Sequence, residues 1–252
     1  MNKTEVVLNK EEFAAEYKRI FTENGLERFI RDELIEKFFT LTEYMLAQNA
    51  VMNLTAITEP SEIILKHYAD SLTVAEYLEE GKTVVDVGCG AGFPSLPLAI
   101  ARPDLRIMAL DSTDKRIQYV RACASLLGLA NLSALTARAE DAANSEMRGK
   151  YDYATARAVA RLNILAEYCI PFLKVGGVFL PMKAKSGAEE MEEAKNAFAT
   201  LRAKVRFSKE FFLTDTKSEG EAQTRLIAGI EKCAPTEKIY PRNNAQIKKK
   251  PL

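Results

Sequence analysis

The sequence predicts an α/β fold, a doubly wound and mostly parallel sheet, with an N-terminal helical extension over residues 1–80. From residue 81 onward, apolar β-branched segments alternate with segments of helical periodicity, as in βα units. A glycine-rich turn directly follows the first of these strands, Thr83–Val87. Ahead of it, acidic segments repeat apolar residues at helical spacing. We therefore divide the chain into the extension and a sheet domain over residues 81–252.

Composition is that of an ordinary globular protein. The 252 residues are 47% hydrophobic and 28% charged, and the formal net charge is zero. The charge is uneven, since residues 1–80 carry 8 basic against 16 acidic side chains and residues 81–252 carry 27 against 19. The basic later part is compatible with an anionic partner such as nucleic acid.

The sequence shows no sign of a metal-binding, disulfide-rich, membrane or secreted protein. Four widely spaced cysteines and one histidine predict neither a metal site nor a disulfide framework. No apolar run reaches the roughly 18 residues of a membrane helix, and no secretory leader is recognisable. We therefore expect a cytoplasmic protein without a membrane or metal partner.

Three helices are predicted in the extension. The first begins at Asn9, which forms a capping-box-like start with Glu12, and ends at Gly25. The second carries apolar residues at helical spacing from Phe29 onward, and the third follows Pro60.

His67, the only histidine, lies on the third helix close to Asp70. Two interpretations stay open for it. It is either a hydrogen-bonded histidine at the junction with the sheet domain or a contact to the substrate.

Seven segments of the later part are predicted as strands, the last two closing the sheet. They are residues 83–87, 107–111, 132–136, 153–156, 178–182, 204–213 and 225–231. Pro181 suggests that the fifth strand ends early. Residues 189–202 are predicted as one charged surface helix with solvated glutamates, and the basic tail from residue 240 shows no periodicity.

The turn after the first strand predicts a nucleotide-type cofactor site, because closely spaced glycines allow a ligand to approach the backbone. The glycines are Gly88, Gly90 and Gly92. The third glycine of a dinucleotide fingerprint would fall at position 93, which is Phe93. A P-loop is also excluded, since no Gly-Lys-Ser/Thr follows.

Two carboxylates narrow the choice of cofactor. Asp86, two residues before the first glycine, would repel a pyrophosphate and suits a cationic group. Asp111 ends the second strand, where a ribose diol would be held. S-adenosylmethionine combines a sulfonium, an amino group and a ribose, so the pair predicts this cofactor.

Charged side chains follow the third and fourth strands. Glu140 follows the third strand, and Arg157 and Arg161 follow the fourth. The carboxyl ends of parallel strands meet at one edge of a sheet, so we expect these residues near the glycine turn. For Arg157 a salt bridge to Asp152 or Glu140 is the alternative.

Linked motifs resemble the RsmG (GidB) family from about residue 40 to the C-terminus. They are Asp86-Val-Gly-x-Gly-Ala-Gly-Phe-Pro, Asn53-Leu-Thr-Ala-Ile-Thr with His67 and Asp70-Ser71-Leu72, Leu110-Asp111-Ser112 with Lys115-Arg116, Arg138-Ala139-Glu140, Ala156-Arg157-Ala158-Val159-Ala160, and the ending Tyr240-Pro241-Arg242 through Lys250-Pro251-Leu252. Two positions depart from the family: Cys89 replaces a small hydroxyl residue or alanine, and the tail reads Asn-Ala-Gln-Ile where a glycine and a proline are expected.

The resemblance implies a class I methyltransferase, with a Rossmann-like seven-stranded sheet that has a reversed edge strand. It implies S-adenosylmethionine as methyl donor and N7 of guanosine 527, in the 530 loop of 16S rRNA, as acceptor. The RNA could be naked or part of the 30S particle, and no protein partner is implied.

Candidate residues come from the patterns and the resemblance together. Candidates for cofactor binding are Asp86, Gly88, Gly90, Gly92, Phe93, Asp111, Ser112, Thr113, Ala139, Glu140 and Arg157. Candidates for RNA binding are His67, Arg157, Arg161, Lys183, Lys185, Arg242, Lys248, Lys249 and Lys250. The tail lysines are expected to act on RNA alone.

Guanine N7 carries a free lone pair, so no base has to remove a proton before attack. Arg157 and Lys183 are therefore expected to position the reactants rather than to catalyse proton transfer. The Asn/Asp-Pro-Pro-Tyr-like motif of exocyclic amino methylation is absent after the fourth strand, and no Pro-Cys nucleophile for cytosine C5 occurs. Two alternatives stay open: a small-molecule methyltransferase, and a non-catalytic RNA-binding protein that retains the fold.

Overall fold

The computed structural model describes residues 8–217 and 222–252. Its strands are β1 Thr83–Val87, β2 Arg106–Asp111, β3 Leu132–Thr136, β4 Tyr151–Arg157, β5 Leu173–Lys183, β6 Ala203–Leu213 and β7 Gln223–Lys232. They form one seven-stranded sheet in the order β3-β2-β1-β4-β5-β7-β6. The pairs among β1 to β5 are parallel, whereas β7 runs antiparallel to β5 and β6. The expected fold is confirmed, with the reversed strand one place inside the edge rather than at it.

The helices cover both faces of this sheet. They are α1 Lys10–Glu23, α2 Asp32–Met52, α3 Pro60–Ile63, α4 Asp70–Leu72, α5 Ser95–Ala101, α6 Asp114–Leu126, α7 Ala139–Ala143, α8 Leu162–Cys169, α9 Gly187–Glu193, α10 Lys195–Thr200 and α11 Asn244–Lys249. A π-helical turn, Ile64–Ala69, joins α3 to α4. In residues 8–217 and 222–252, no helix is both long and apolar enough to span a bilayer.

Two apolar cores lie on opposite sides of the sheet. One unites the N-terminal helices with α5 and α6, and includes Phe38 and Tyr68, both fully buried. The other unites α7 to α11, and includes Phe172 and Ile247. Because the N-terminal helices share a core with one face of the sheet, they stabilise the elements that carry the glycine turn.

The N-terminal helices begin for local reasons. Asn9 caps α1, since its side chain accepts hydrogen bonds from the backbone of Glu11 and Glu12. The second helix begins at Asp32 rather than near Phe29, which belongs to a separate 3₁₀ turn. Phe29 is nevertheless buried, and its carbonyl accepts a hydrogen bond from the Tyr17 hydroxyl at 3.2 Å.

Strand β5 continues through Pro181, against the expectation that it ends there. Pro181 lies opposite Ala156 of β4, and the pairing with β7 is interrupted between Phe179 and Met182. Pro181 has no N–H to donate, and it lies in the stretch of β5 where no residue pairs with β7.

Two further segments differ from expectation. Residues 189–202 form two helices rather than one, and Glu190, Met191 and Phe198 are buried, so this segment is not only a solvated surface. The tail contains the short helix α11, capped by the side chain of Asn243.

The order of strands places a crevice at the carboxyl ends of β1, β2 and β4. The chain leaves β1 toward β2 and β3 and then crosses to β4 on the other side of β1. Such a reversal is the point at which open α/β sheets bind ligands. Val87 ends β1 there, and Asp111 and Arg157 end β2 and β4.

Candidate cofactor and RNA site

A cavity of about 350 Å³ opens at this edge. It is lined by Val87, Gly88, Leu110, Asp111, Ser112, Arg116, Ala137, Arg138, Ala139, Glu140, Ala158, Val159, Ala160, Tyr168, Asn244 and Lys248. Five of the expected cofactor residues, Gly88, Asp111, Ser112, Ala139 and Glu140, meet here. The volume falls within the range of about 300–1,000 Å³ that is typical of small-molecule sites.

Gly88 is the closest part of the turn to the cavity. Its φ of +75° is in the left-handed region, and its N–H donates to the carbonyl of Leu110 at 2.7 Å. A Cβ at this position would lie 2.6 Å from Val159 Cγ2. Only glycine combines this backbone conformation with such close contact to the loop after β4.

Asp111 joins the glycine turn to β2. Its carboxylate accepts hydrogen bonds from the backbone of Gly90 at 3.0 Å and of Thr113 at 2.8 Å, and Arg116 lies 3.7 Å away. A carboxylate has about four acceptor positions, so two backbone donors leave capacity for a diol. The donor set and the cavity therefore fit the ribose of S-adenosylmethionine.

Gly90 and Thr113 are thus supports of Asp111 and do not line the cavity. Gly92 does not line it either, and a Cβ there would lie 2.5 Å from Leu96 Cδ1, so its role is packing against α5. Phe93 is buried and stacks on His67, with ring centroids 4.4 Å apart. Gly90, Gly92, Thr113 and Phe93 are therefore not among the residues that line the cavity, and their contact with the cofactor stays a prediction.

Asp86, also predicted to contact the cofactor, is buried and does not line the cavity. Its carboxylate accepts hydrogen bonds from the backbone and hydroxyl of Ser95 and from the Thr155 hydroxyl. The side chain is inaccessible to solvent, and burial raises its pKa to about 6. It connects β1 to the start of α5 and to β4, beneath the turn rather than at its surface.

Arg157 does not line the cavity and is paired with neither Asp152 nor Glu140. Its guanidinium donates to Asp70 at 3.0 Å and to the carbonyl of Lys66 at 2.9 Å. It also lies over the ring of Phe93, 5.4 Å from the centroid. Arg225 of β7 donates to the other oxygen of Asp70, also at 3.0 Å. The Asp70 carboxylate therefore holds two arginines from different strands.

His67 lies at the junction of the helical extension and the sheet domain. Its side chain is hydrogen-bonded to the Thr55 hydroxyl at 3.0 Å, and the residue is only 8% exposed. Burial and the neighbouring Arg157 lower its pKa to about 3, so the imidazole is neutral near pH 7. This geometry supports the structural interpretation.

Lys183, predicted to position the reactants and to contact RNA, forms a buried ion pair. Its ammonium lies 2.6 Å from Glu190 and donates to the carbonyl of Ala160 at 2.8 Å. Glu190 also accepts from the backbone of Leu162 at 2.9 Å. The pair thereby holds the loop after β4 at its α8 end, and Ala158 at the start of this loop has a φ of +56°.

The other RNA candidates fall into two groups. Arg161 is paired with Glu193, and Arg242 is paired with the buried Glu167. Lys185, Lys248, Lys249 and Lys250 are exposed. Lys248 lines the cavity as well, although the sequence suggested that the tail acts on RNA alone.

Sequence reasoning missed several contributors. Val159, Tyr168 and Asn244 line the cavity. Asp70 forms an ion pair with Arg157, and Glu190 forms one with Lys183. A signal for α11 was available, since Asn243 is a good N-cap residue ahead of an apolar residue at 247. No local pattern reveals that this helix returns to the sheet edge.

Comparison with known proteins gives the family. The chain matches the family profile described as GidB: rRNA small subunit methyltransferase G over residues 34–218. A protein of Clostridium perfringens (strain 13 / Type A) named Ribosomal RNA small subunit methyltransferase G is 39% identical over 231 residues, 90% of this chain and 94% of the relative. A Brevibacillus brevis protein of the same name is 40% identical over 248 residues, 97% of this chain and 100% of the relative.

Solved structures give the fold. M. jannaschii TYW2 in complex with AdoMet has a TM-score of 0.51 at 18% identity, over 65% of this chain and 76% of that chain. Geranyl diphosphate C-methyltransferase from Streptomyces coelicolor A3(2) has a TM-score of 0.50 at 14% identity, over 65% and 80%. The family profile and the relatives confirm the resemblance: the chain belongs to the GidB family, described as rRNA small subunit methyltransferase G.

Proposed function

We propose that this protein transfers the methyl group of S-adenosylmethionine to N7 of a guanosine in small-subunit ribosomal RNA, namely guanosine 527 in the 530 loop of 16S rRNA. The observation that carries the proposal is the convergence of Gly88, Asp111, Ser112, Ala139 and Glu140 on one cavity at the sheet's switch point. Family membership supports the class of substrate, and the N7 position comes from the family resemblance.

The residues divide the binding of the cofactor among them. Asp111 would accept the ribose hydroxyls, and Ala139 with Glu140 would contact the adenine. Gly88 would let the methionine end approach the backbone of the turn. Once bound, the cofactor supplies an electrophilic methyl group on a sulfonium.

The acceptor site would lie beside Val159, where the loop after β4 covers Gly88. The N7 lone pair attacks without prior loss of a proton, so the protein contributes chiefly alignment, which supplies several kcal/mol, up to about 7–11 in favourable cases. A histidine whose pKa is about 3 is a poor base at neutral pH, which supports a role of His67 in structure rather than in proton transfer.

Basic groups around the cavity support RNA as the partner. Arg116 and Arg138 line the cavity, and Lys249 and Lys250 nearby are exposed. Neutralising phosphates with such groups makes affinity fall steeply with salt, whereas a small-molecule substrate would show little salt dependence.

The proposal is tested by mapping N7-methylguanosine in 16S rRNA from cells with and without this gene. We expect the modification at guanosine 527 to disappear when the gene is deleted and to return when it is restored. Retention of the modification in the deletion strain would contradict the proposed acceptor. Restoration by wild type but not by Asp111→Ala would link the modification to the cavity.

A further inference from the structure

The C-terminal segment is fastened to the sheet domain beside the cavity. Arg242 forms an ion pair with Glu167, at 2.6 Å, and the Glu167 side chain is inaccessible to solvent. Arg148 donates to the carbonyl oxygens of Tyr240 at 2.7 Å and of Thr236 at 2.8 Å. Bonds to a charged guanidinium are among the stronger ones in proteins. The approach to α11 is therefore fixed.

Helix α11 itself is held by two further contacts. Ile247 is fully buried in the core shared with α7 to α10. Asn244 accepts a hydrogen bond from the Tyr168 hydroxyl at 2.6 Å. Asn244 and Ile247 are three residues apart and therefore adjacent on the helix surface. Because both side chains are held, the helix has one rotation about its axis.

This rotation brings one face of α11 to the cavity. Asn244 and Lys248 are four residues apart, so they lie on the same face of the helix, and both line the cavity with Asp111 and Glu140. Lys249, the next residue, does not line it. The tail lysines are therefore not equivalent.

The chemistry of this face matches groups of the cofactor. Lys248 carries a positive charge, and the carboxylate is the only anionic group of S-adenosylmethionine. The Asn244 side-chain oxygen is occupied by Tyr168, which leaves its amide N–H groups as donors. We propose that Asn244 and Lys248 bind S-adenosylmethionine, so that the C-terminal helix is a wall of the cofactor site. This inference rests on the proposed function, because it takes the cavity as the cofactor site.

The test is calorimetric titration of the full-length protein with S-adenosylmethionine, comparing Lys248→Met with the matched control Lys249→Met. Both changes remove one exposed charge from the same helix. We expect Lys248→Met to weaken cofactor binding about fivefold, the effect of an exposed ion pair of about 1 kcal/mol, and Lys249→Met to leave it unchanged. Tyr168→Phe, which frees Asn244, should also weaken binding.

A second readout separates a wall from a mere basic tail. Hydrogen exchange of the α11 amides should slow when S-adenosylmethionine is added to the wild type, and less so for Lys248→Met. Equal cofactor affinity of wild type, Lys248→Met and Lys249→Met would overturn the inference.

Asp111→Ala distinguishes this failure from failure of the proposed function. If Asp111→Ala weakens binding while both lysine variants bind normally, the cavity is the cofactor site and α11 is not part of it. If Asp111→Ala also binds normally, the cofactor binds elsewhere and both the site and the inference fail. Unchanged thermal unfolding of both lysine variants would show that folding is intact.

Discussion

At the scale of single residues, Asp111 lines the cavity and accepts a hydrogen bond from the glycine turn. We predict that Asp111→Ala weakens binding of S-adenosylmethionine by about 1–3 kcal/mol, because charge-assisted hydrogen bonds to the ribose are lost. Calorimetry measures the change, and Asp114→Ala, outside the cavity on the first turn of α6, is the control. An affinity equal to that of wild type would mean that another acid holds the diol.

Arg157 and Arg225 make a natural comparison, since each donates to one oxygen of Asp70 at 3.0 Å. Only Arg157 also lies over Phe93 and follows the strand that leads to the cavity. We predict that Arg157→Ala lowers the single-turnover rate of RNA methylation much more than cofactor affinity. Arg225→Ala should lower that rate less. Equal losses in the two variants would make both arginines structural partners of Asp70 alone.

These residues also show where local patterns stop. Asp111 and Gly88 could be placed from the sequence, because a carboxylate at a strand end and a glycine in a tight turn follow from short-range rules. The partner of Arg157 could not, because Asp70 is 87 positions away along the chain. The partner of Lys183 could not be predicted either, because Glu190 belongs to a segment whose charge density suggested a solvated surface.

At the scale of elements, the turn between β1 and α5 and the loop after β4 form the cavity together. We predict that Gly88→Val abolishes detectable cofactor binding, since a side chain there meets Val159 at 2.6 Å and the φ of +75° is strained for any other residue. Gly90→Ala is the control, because φ is +58° but a Cβ would contact nothing within 4 Å. It should show only the cost of strain, about 1–2 kcal/mol of stability.

Calorimetry and chemical unfolding on both glycine variants separate strain from obstruction. Cofactor binding by a folded Gly88→Val protein would refute the position of the site. Equal loss of binding in Gly90→Ala would show that the whole turn, rather than the approach at Gly88, is critical.

The elements themselves were predicted best where periodicity is strong and local. The bounds of β1 and β3 were predicted correctly, because short apolar strands are flanked by clear turns. The passage of β5 through Pro181 and the return of α11 to the sheet depend on the neighbouring β7 and α8, which no local pattern contains.

At the scale of the whole molecule, two buried groups give opposite pH dependence of stability. The pKa of His67 is about 3 in the fold against about 6.5 in an unfolded chain, so the unfolded state binds the extra proton and acidification below about pH 6.5 lowers stability. The pKa of Asp86 is about 6 against about 3.9, so the folded state binds the extra proton and acidification from about pH 6 to 4 raises stability.

We predict that on going from pH 7 to pH 5 the free energy of unfolding of His67→Phe, relative to wild type, rises by about 2 kcal/mol. For Asp86→Asn the same difference should fall by about 1 kcal/mol. Urea unfolding at the two pH values measures both differences. The part of each difference that is the same at pH 7 and pH 5 comes from packing, and the part that changes comes from titration of the replaced side chain. A pH-independent difference for His67→Phe would mean that the imidazole titrates normally in the fold.

In the proposed function, the methyl donor binds at the switch point of the sheet and basic groups around it bind RNA. The most direct test gives the purified protein methyl-labelled S-adenosylmethionine and 16S rRNA, naked or in 30S particles, and identifies the labelled nucleoside after digestion. We predict 7-methylguanosine as the only labelled nucleoside, and none with Gly88→Val. Label in any other nucleoside, or on a small molecule and not on RNA, would contradict the account.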